Sequence, residues 1–525
     1  MESIGKTIVP VSPARNREFY LPIILENALI KACRKSQAGF EREANNENDS
    51  LLTQEQAFHS FVYKLAQVCD NERGGNTITA FTVVKGDCGP EYIFASNLRT
   101  DKHLEETREF VQSLLEYVRS NPEKLNRKPF LKKVLWRILH WNLPRVDAYL
   151  GNLVKALSGC IEDCLRRQDN HVSSLVRQLE EFRGKAEFPR DIESSDNALP
   201  KFMSDCESLI KAIHASANTE LDEAIRSRAR DGEMSNSEPW CDLRHYLGRL
   251  HSYRQAAEII IGAFKRWPLL FEGFKIVAVP SSVPLQKPVA KSMETTAADV
   301  IGQIMPEQDL TPYKSYIEDL QNFDLDQNIR AQLANRGFKP IVHCEVLVHD
   351  YLLAHGFTST SSFWNDWKYI GSSKRTCRLC QYYFNSHMDK VEVRSSHQNL
   401  YPKWRLPDIY EHQGPEAVAQ RDRIMTEIIG NIRRDALITL QGKLPRGKRH
   451  DSNTQSGMPK LFEGLLSESM TTSDMASRLS RMVLSSGVPT GTASVKEEDD
   501  NWSVNGSLSG LAVQGEEGDG GVAVA

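Results

Sequence analysis

The sequence predicts an α/β fold in which one β-sheet is flanked by helices and interrupted by a large all-helical insertion. Three observations predict it. In "ITAFTVVKGDCGPEYIFASN" two β-rich runs, 78–84 and 92–97, flank a Gly/Pro/Asp turn, the pattern of a β-hairpin. Strand-like and helix-like stretches alternate between 341 and 396. Between these two regions, residues 101–266 read as almost wholly helical.

The elements follow in order. A helix is expected over about 19–35, then the polar stretch "REANNENDS". From Gln54, "EQAFHSFVYKLAQVCD" has helical spacing that puts Phe58, Phe61, Val62, Leu65 and Val68 on one side. After the hairpin come "HLEETREFVQSLLEYVRS", "FLKKVLWRILHWN", "DAYLGNLVKALSGCIEDCLRRQ" and, after a polar break, "CDLRHYLGRLHSYRQAAEIIIGAFKRW", all helical. The strand-like run "FKIVAVP" leads into a Pro/Ser-rich connector at 280–289, and more helices follow it. "IVHCEVLVHDYLLAHG" (341–356) is an apolar helix that opens with His343 and Glu345. "WKYIG" (367–371) and "KVEVRSS" (390–396) suit strands, and "TCRLCQYYFN" between them suits a helix. "GPEAVAQRDRIMTEIIGNIRRDALITLQGK" is a long amphipathic helix with Pro415 near its start. Beyond it, "PRGKRHDSNTQSG" is linker-like, 459–485 suits a helix, and the acidic tail from "TGTASVKEEDDNW" is expected to be disordered.

These elements divide the chain into a helical extension (1–50), a helix and hairpin forming the first part of the sheet domain (51–100), and the helical insertion with its connector (101–289). The second part of the sheet domain (290–442) carries the His and Cys motifs, and a linker and tail (443–525) follow.

Composition narrows the classes. Of 525 residues, 40% are hydrophobic and 26% charged, ordinary for a globular protein, and the net charge of -4 argues against wholesale non-specific nucleic-acid binding. The stretch 119–145 nevertheless holds eight Lys/Arg against one acid, with Trp136 and Trp141 interleaved. It reads either as a phosphate-tracking, base-stacking surface or as an amphipathic helix with Leu131, Val134, Leu135 and Ile138 inward and Lys132, Lys133 and Arg137 outward. "KLPRGKRH" (443–450) is a weak localisation signal. The N-terminus lacks the basic-then-apolar layout of a signal peptide, and the apolar stretch from Phe19 is too short to span a bilayer and contains Glu26. A cytoplasmic or nuclear setting with no membrane association is therefore expected, where paired cysteines mean metal more often than disulfide.

Two groups that are costly to bury, His343 and Glu345, need a reason to open an apolar helix. Cys377 and Cys380 form a C-x-x-C at the start of a helix just after a strand, where helix amides and dipole favour thiolates, the form that binds zinc. One His and two Cys make three protein ligands and leave a position open for water, the catalytic pattern. Glu345 then reaches that water without binding the metal. A structural zinc would recruit a fourth ligand such as His349, His387 or His397. Buried reduced cysteines and a first-turn acid are the plain alternatives. Cys344 reads as packing, and "HQNLYPKWRLP" (397–407) reads either as a pocket mouth built from His397, Tyr401 and Trp404 or as a packed loop.

H-x-E followed by C-x-x-C is the signature of zinc-dependent deaminases. With it, the chain resembles the cytidine-deaminase-like superfamily over roughly 54–97 and 338–440. "HCEVLVHDYLL", "YIGSSKRTCRLC" and "HQNLYPKWRLP" are similar to the OTT-type predicted deaminases, a group well represented among fungal proteins. The resemblance implies a three-layer α/β/α sheet, Zn2+ held by His343, Cys377 and Cys380, and Glu345 as proton shuttle. The reaction it implies is hydrolytic deamination of a nucleobase, free, as nucleoside or in single-stranded nucleic acid, with zinc-bound water as nucleophile. Ser373 matches a serine seen in related deaminases, and Asn97 ends the second hairpin strand where some relatives place a polar residue on the substrate. The superfamily usually has proline directly before the first cysteine, and here that position is Thr376. The competing reading is a catalytically inactive, zinc-binding scaffold that engages protein partners through its helical insertion.

Overall fold

The computed structural model describes residues 7–36, 42–43, 53–167, 172–193, 195–229, 234–286, 288, 295–304, 311–443, 445–446 and 511–512. The helix expected over 459–485, the acidic tail apart from 511–512, and most of 443–450 lie outside the described residues.

The mixed five-stranded sheet comprises β1 (Thr79–Lys85), β2 (Pro90–Ser96), β3 (Lys275–Val279), β4 (Tyr369–Ser372) and β5 (Glu392–Val393), in spatial order β3-β2-β1-β4-β5. β1 runs antiparallel to both β2 and β4, whereas β2/β3 and β4/β5 are parallel pairs. The hairpin forms as the sequence predicts, because Gly86 and Gly89 close its turn (Gly86 N to Gly89 O, 3.0 Å). At Gly89, with φ +154°, a Cβ would lie 2.6 Å from the Gly273 carbonyl, so only glycine lets that loop approach so closely. The "FKIVAVP" run does more than lead into a connector. As β3 it extends the sheet beside β2, so the helical excursion ends at the short 3-10 turn Pro268–Phe271.

Fifteen helices surround the sheet among the described residues. α1 (Pro13–Ser36) and α2 (Gln54–Cys69) precede the insertion helices α3 (Asp101–Ser120), α4 (Arg127–Trp141), α5 (Leu143–Arg167), α6 (Val172–Ala186), α7 (Ala198–Ser216), α8 (Glu220–Arg228) and α9 (Met234–Arg266). α10 (Ala297–Ile304), α11 (Lys314–Gln321), α12 (Leu325–Ala334), α13 (Cys344–Ala354), α14 (Arg378–Ser386) and α15 (Gly414–Gly442) complete the chain. α2 is set by a capping box in which Thr53 and Gln56 exchange side-chain and backbone hydrogen bonds.

The sheet separates two cores, as strand periodicity requires. Phe81, Val83, Tyr92 and Phe94 join α2 and the insertion on one face. Ala80, Val84, Ile93 and Ala95 join α1, α13, α14 and α15 on the other. At Gly371 a Cβ would meet Val62 and the Tyr63 backbone nitrogen at 2.9 Å, so the missing side chain lets α2 settle directly on β4. "KVEVRSS" yields only two paired residues, because the chain beyond Val393 leaves the edge to bridge Thr376 through Ser396. No described helix is long and apolar enough to cross a membrane. All ten cysteines are free thiols.

Candidate metal centre

α13 is buried from Cys344 to His349 and again at Leu352, so its polar first turn lies inside the protein. His343 is its N-cap residue, with extended backbone and no side-chain cap bond. The cap is supplied from across the sheet, where Cys344 N donates to Asn97 Oδ1 at 2.8 Å. The imidazole is left to face α14.

At the start of α14, Cys377 occupies the N-cap position and its Sγ accepts from Cys380 N at 3.5 Å. Each sulfur, Cys377 Sγ and Cys380 Sγ, lies 3.5 Å from His343 Nδ1. Around a tetrahedral ion with Zn–S ~2.3 Å and Zn–N ~2.0–2.1 Å, the N···S edge is ~3.5 Å. The donor atoms of all three residues fall within 4.8 Å of one another, and all three residues are buried. His343 Nε2 is buried with no hydrogen-bond partner among the described residues, so no described residue hydrogen-bonds that nitrogen to draw the ring away from the two sulfurs. The donor set therefore fits zinc in spacing and in chemistry.

The electrostatics agree. Burial opposes charging His343, yet the Cys377 thiolate and Glu345 outweigh it and hold the imidazole above its usual pKa. Burial likewise opposes the Cys377 thiolate, but hydrogen bonding from Cys380 and the facing His343 bring its pKa well below that of an ordinary thiol. Cys380 moves the opposite way, pushed up by burial and by the neighbouring thiolate. A site with one charge too few for two thiolates is suited to a cation.

Glu345 stands two residues into the same turn, and the residue is 4% exposed. Ser372 Oγ lies 3.1 Å from its Oε1, and Cys344 Sγ donates to its Oε2 at 3.3 Å. Ser372 Oγ is also 2.6 Å from the Lys374 carbonyl, and its single proton serves one of these acceptors at a time. Burial raises the Glu345 pKa, partly offset by His343.

Asn97 and Ser373 reach the same region with their side chains committed to the fold. Asn97 Nδ2 donates to Gly75 O at 2.9 Å while Oδ1 caps α13. Ser373 Oγ donates to Asp70 Oδ2 at 3.2 Å and accepts from Thr79 N at 3.4 Å. Both hold the loop 70–77 against the centre. That loop is in turn gripped from the insertion: Arg145 Nη1 donates to Asp70 Oδ1 (2.6 Å), Asp70 O (3.1 Å) and Glu72 O (2.6 Å).

Residues offered as alternatives are placed as follows. His349 is held by Tyr383 Oη and Asp389, and His387 by Asp389 N and Gln420, so neither turns toward the sulfurs. His397 Nδ1 accepts from Asn399 N at 2.9 Å. In the 397–407 loop, Trp404 is fully buried rather than at a mouth, and its Nε1 donates to Cys380 Sγ at 3.2 Å. A buried indole needs a partner for its N–H, and the Cys380 sulfur supplies it. Thr376, where proline is usual, is held by a bridge to Ser396 and by His397 N donating to Thr376 O at 3.1 Å. This backbone pairing fixes the turn that a proline would stiffen.

The basic stretch 119–145 matches the amphipathic-helix reading. Val134, Leu135 and Ile138 are buried, Lys132 pairs with Glu207, Lys133 with Glu123, and Arg137 covers the Tyr117 ring at 3.9 Å. Trp136 donates to Glu207, and Trp141 stacks on Phe110 with centroids 4.6 Å apart.

Residues 342–408, which contain all four residues of the centre, match the family model of OTT_1508-like deaminases. No curated protein and no solved structure matches the chain.

Proposed function

We propose, from the premise that residues 342–408 are an OTT_1508-like deaminase segment, that the chain is a zinc-dependent hydrolytic deaminase of a nucleobase with a cytidine-deaminase-like three-layer fold. The observation that carries this reading is the convergence of His343 Nδ1 and the two sulfurs with the Glu345 carboxyl beside them. In this reading His343, Cys377 and Cys380 hold the ion, which supplies a Lewis acid that makes water acidic near neutral pH. Glu345 takes one proton from the water on a carboxylate oxygen and delivers it to the ring nitrogen, then takes the second from the hydroxyl added to the base and delivers it to the departing amine. Burial holds its carboxyl above the ordinary carboxylate range, which favours keeping a proton between the two transfers. Ser372 and Cys344 orient the carboxyl, Trp404 and the first-turn amide of α14 hold the sulfurs, and the surrounding apolar core excludes bulk water. Ammonia leaves and a carbonyl replaces the exocyclic amine. The base is free, in a nucleoside or in single-stranded nucleic acid, in a cytoplasmic or nuclear setting.

The scaffold alternative draws support from the same carboxyl, both of whose oxygens already have partners within the chain. Zinc-loaded protein and its Glu345→Gln variant, assayed for ammonia release from cytidine, deoxycytidine, adenosine and single-stranded DNA and RNA, separate the two. The enzyme reading expects unchanged zinc content and a rate loss of about 10²–10⁴-fold in the variant. Zinc retained with no ammonia from any substrate, or equal rates for both proteins, selects the scaffold.

A further inference from the structure

A second group of metal-ligating side chains lies at the other end of α2. Glu55 and His59 are four residues apart and share one face of that helix, and Glu392 reaches them from β5. One donor atom from each falls within 4.8 Å of the others. The closest approach, His59 Nδ1 to Glu392 Oε1, is 3.6 Å, against ~3.4 Å expected between N and O donors at ~2.0–2.1 Å from a tetrahedral ion.

The sheet fixes this arrangement. Tyr369 and Glu392 are register partners in the parallel β4/β5 pair, and the His59 ring stacks on Tyr369 with centroids 3.7 Å apart and planes 13° from parallel. The imidazole is thereby held flat on one strand with its Nδ1 toward the acid on the next. Its Nε2 is buried with no hydrogen-bond partner among the described residues, so the ring's position comes from stacking and from the carboxylate side. Neither Glu55 nor Glu392 is paired with a Lys or Arg among the described residues, and the Glu392 carboxyl is raised by burial and then by the nearby Glu55. Two mutually repelling carboxylates on either side of an oriented imidazole form a dianionic N,O donor set without a cation.

We propose that Glu55, His59 and Glu392 bind a second divalent transition-metal ion, with water completing its coordination. Nitrogen and carboxylate donors without sulfur suit zinc or cobalt at a solvent-open site. The ion clasps α2 to the edge strand and so joins segments of the sheet domain encoded on either side of the insertion. The site stands on its own geometry and does not depend on the deaminase reading.

The test is cobalt titration of metal-stripped full-length protein and its E55Q/E392Q variant, whose changes fall on exposed side chains. Wild type is expected to take two Co2+ per chain: one with the sulfur-to-cobalt charge-transfer band of the Cys377/Cys380 centre, and one without it. The variant is expected to take one, with that band unchanged. Either single replacement should weaken the sulfur-free site at least tenfold. A wild-type stoichiometry of one with the band present, or a variant that still takes two ions, overturns the proposal. If the band is missing while a variant-sensitive ion still binds, the second site stands and the first centre fails.

Discussion

Arg145→Met tests whether the helical insertion takes part in building the centre. The guanidinium and the Asp70 carboxylate it grips are both essentially inaccessible, with side-chain exposures of 1% and 0%. Removing the cation leaves that carboxylate with hydroxyl partners only, Thr77 Oγ1 at 2.8 Å and Ser373 Oγ at 3.2 Å. Breaking a buried pair from one side costs about 3–5 kcal/mol. The two hydroxyls place this case near the lower end, and the donors lost by the carbonyls of Asp70 and Glu72 add ~1 kcal/mol each. A total of ~5 kcal/mol follows. The double variant R145M/D70N removes the stranded charge as well and should recover about half of that cost. Equilibrium urea denaturation at fixed excess zinc measures the stability, and competition with a chelator measures zinc affinity. Affinity should fall in R145M, because loop 70–77 anchors Asn97 and Ser373 against the ligand helices. A cost under ~1 kcal/mol, or a double variant as unstable as the sum of its singles, would refute the coupling.

Two further outcomes follow from buried polar groups near the centre. Burial pushes the Glu26 carboxyl up to about 7 despite Arg378 Nη1 at 2.6 Å, and Glu26 Oε2 has no hydrogen-bond partner among the described residues. A folded-state pKa above the unfolded one means that stability is fully present below the ordinary carboxylate range and is lost as pH rises through about 7. Wild type should lose up to ~3 kcal/mol across that window relative to Glu26→Gln, a difference read from urea midpoints of both proteins between pH 4.5 and 8; parallel pH profiles would contradict it. Trp404→Phe deletes the N–H donated to Cys380 Sγ, and removing a partner that orients a metal ligand typically weakens binding about 10–100-fold. Unchanged zinc affinity in chelator competition would show that the indole only fills space.

The centre was legible because each part of its signature is local. H-x-E sits within one turn of α13 and C-x-x-C within one turn of α14, and the strand-helix alternation between them needs only nearby residues. The hairpin, α3, α4, α5, α9 and β3 were readable from periodicity, whereas α6, α7 and α8 fall in a stretch that reads as a polar break, and nothing in "FKIVAVP" revealed that it pairs with β2. The residues that support the site were not readable. Asp70, Arg145 and Trp404 meet it through contacts spanning up to 303 residues of chain, and a buried Arg or indole carries no periodic mark. The basic stretch 119–145 was ambiguous for the same reason, since its acidic partner Glu207 lies in a different helix, α7. Asn97 and Ser373 were singled out as substrate contacts, and their observed partners are Gly75, Cys344, Asp70 and Thr79. Sequence shows that a polar side chain is present at such a position but leaves its partner unspecified.

X-ray absorption at the zinc edge tests the central claim most directly, using the E55Q/E392Q chain so that a single ion is observed. The account predicts two sulfurs at ~2.3 Å, one imidazole nitrogen at ~2.0–2.1 Å, and one light oxygen donor not supplied by the protein. A shell without two sulfurs, or one closed by a second imidazole, would contradict it.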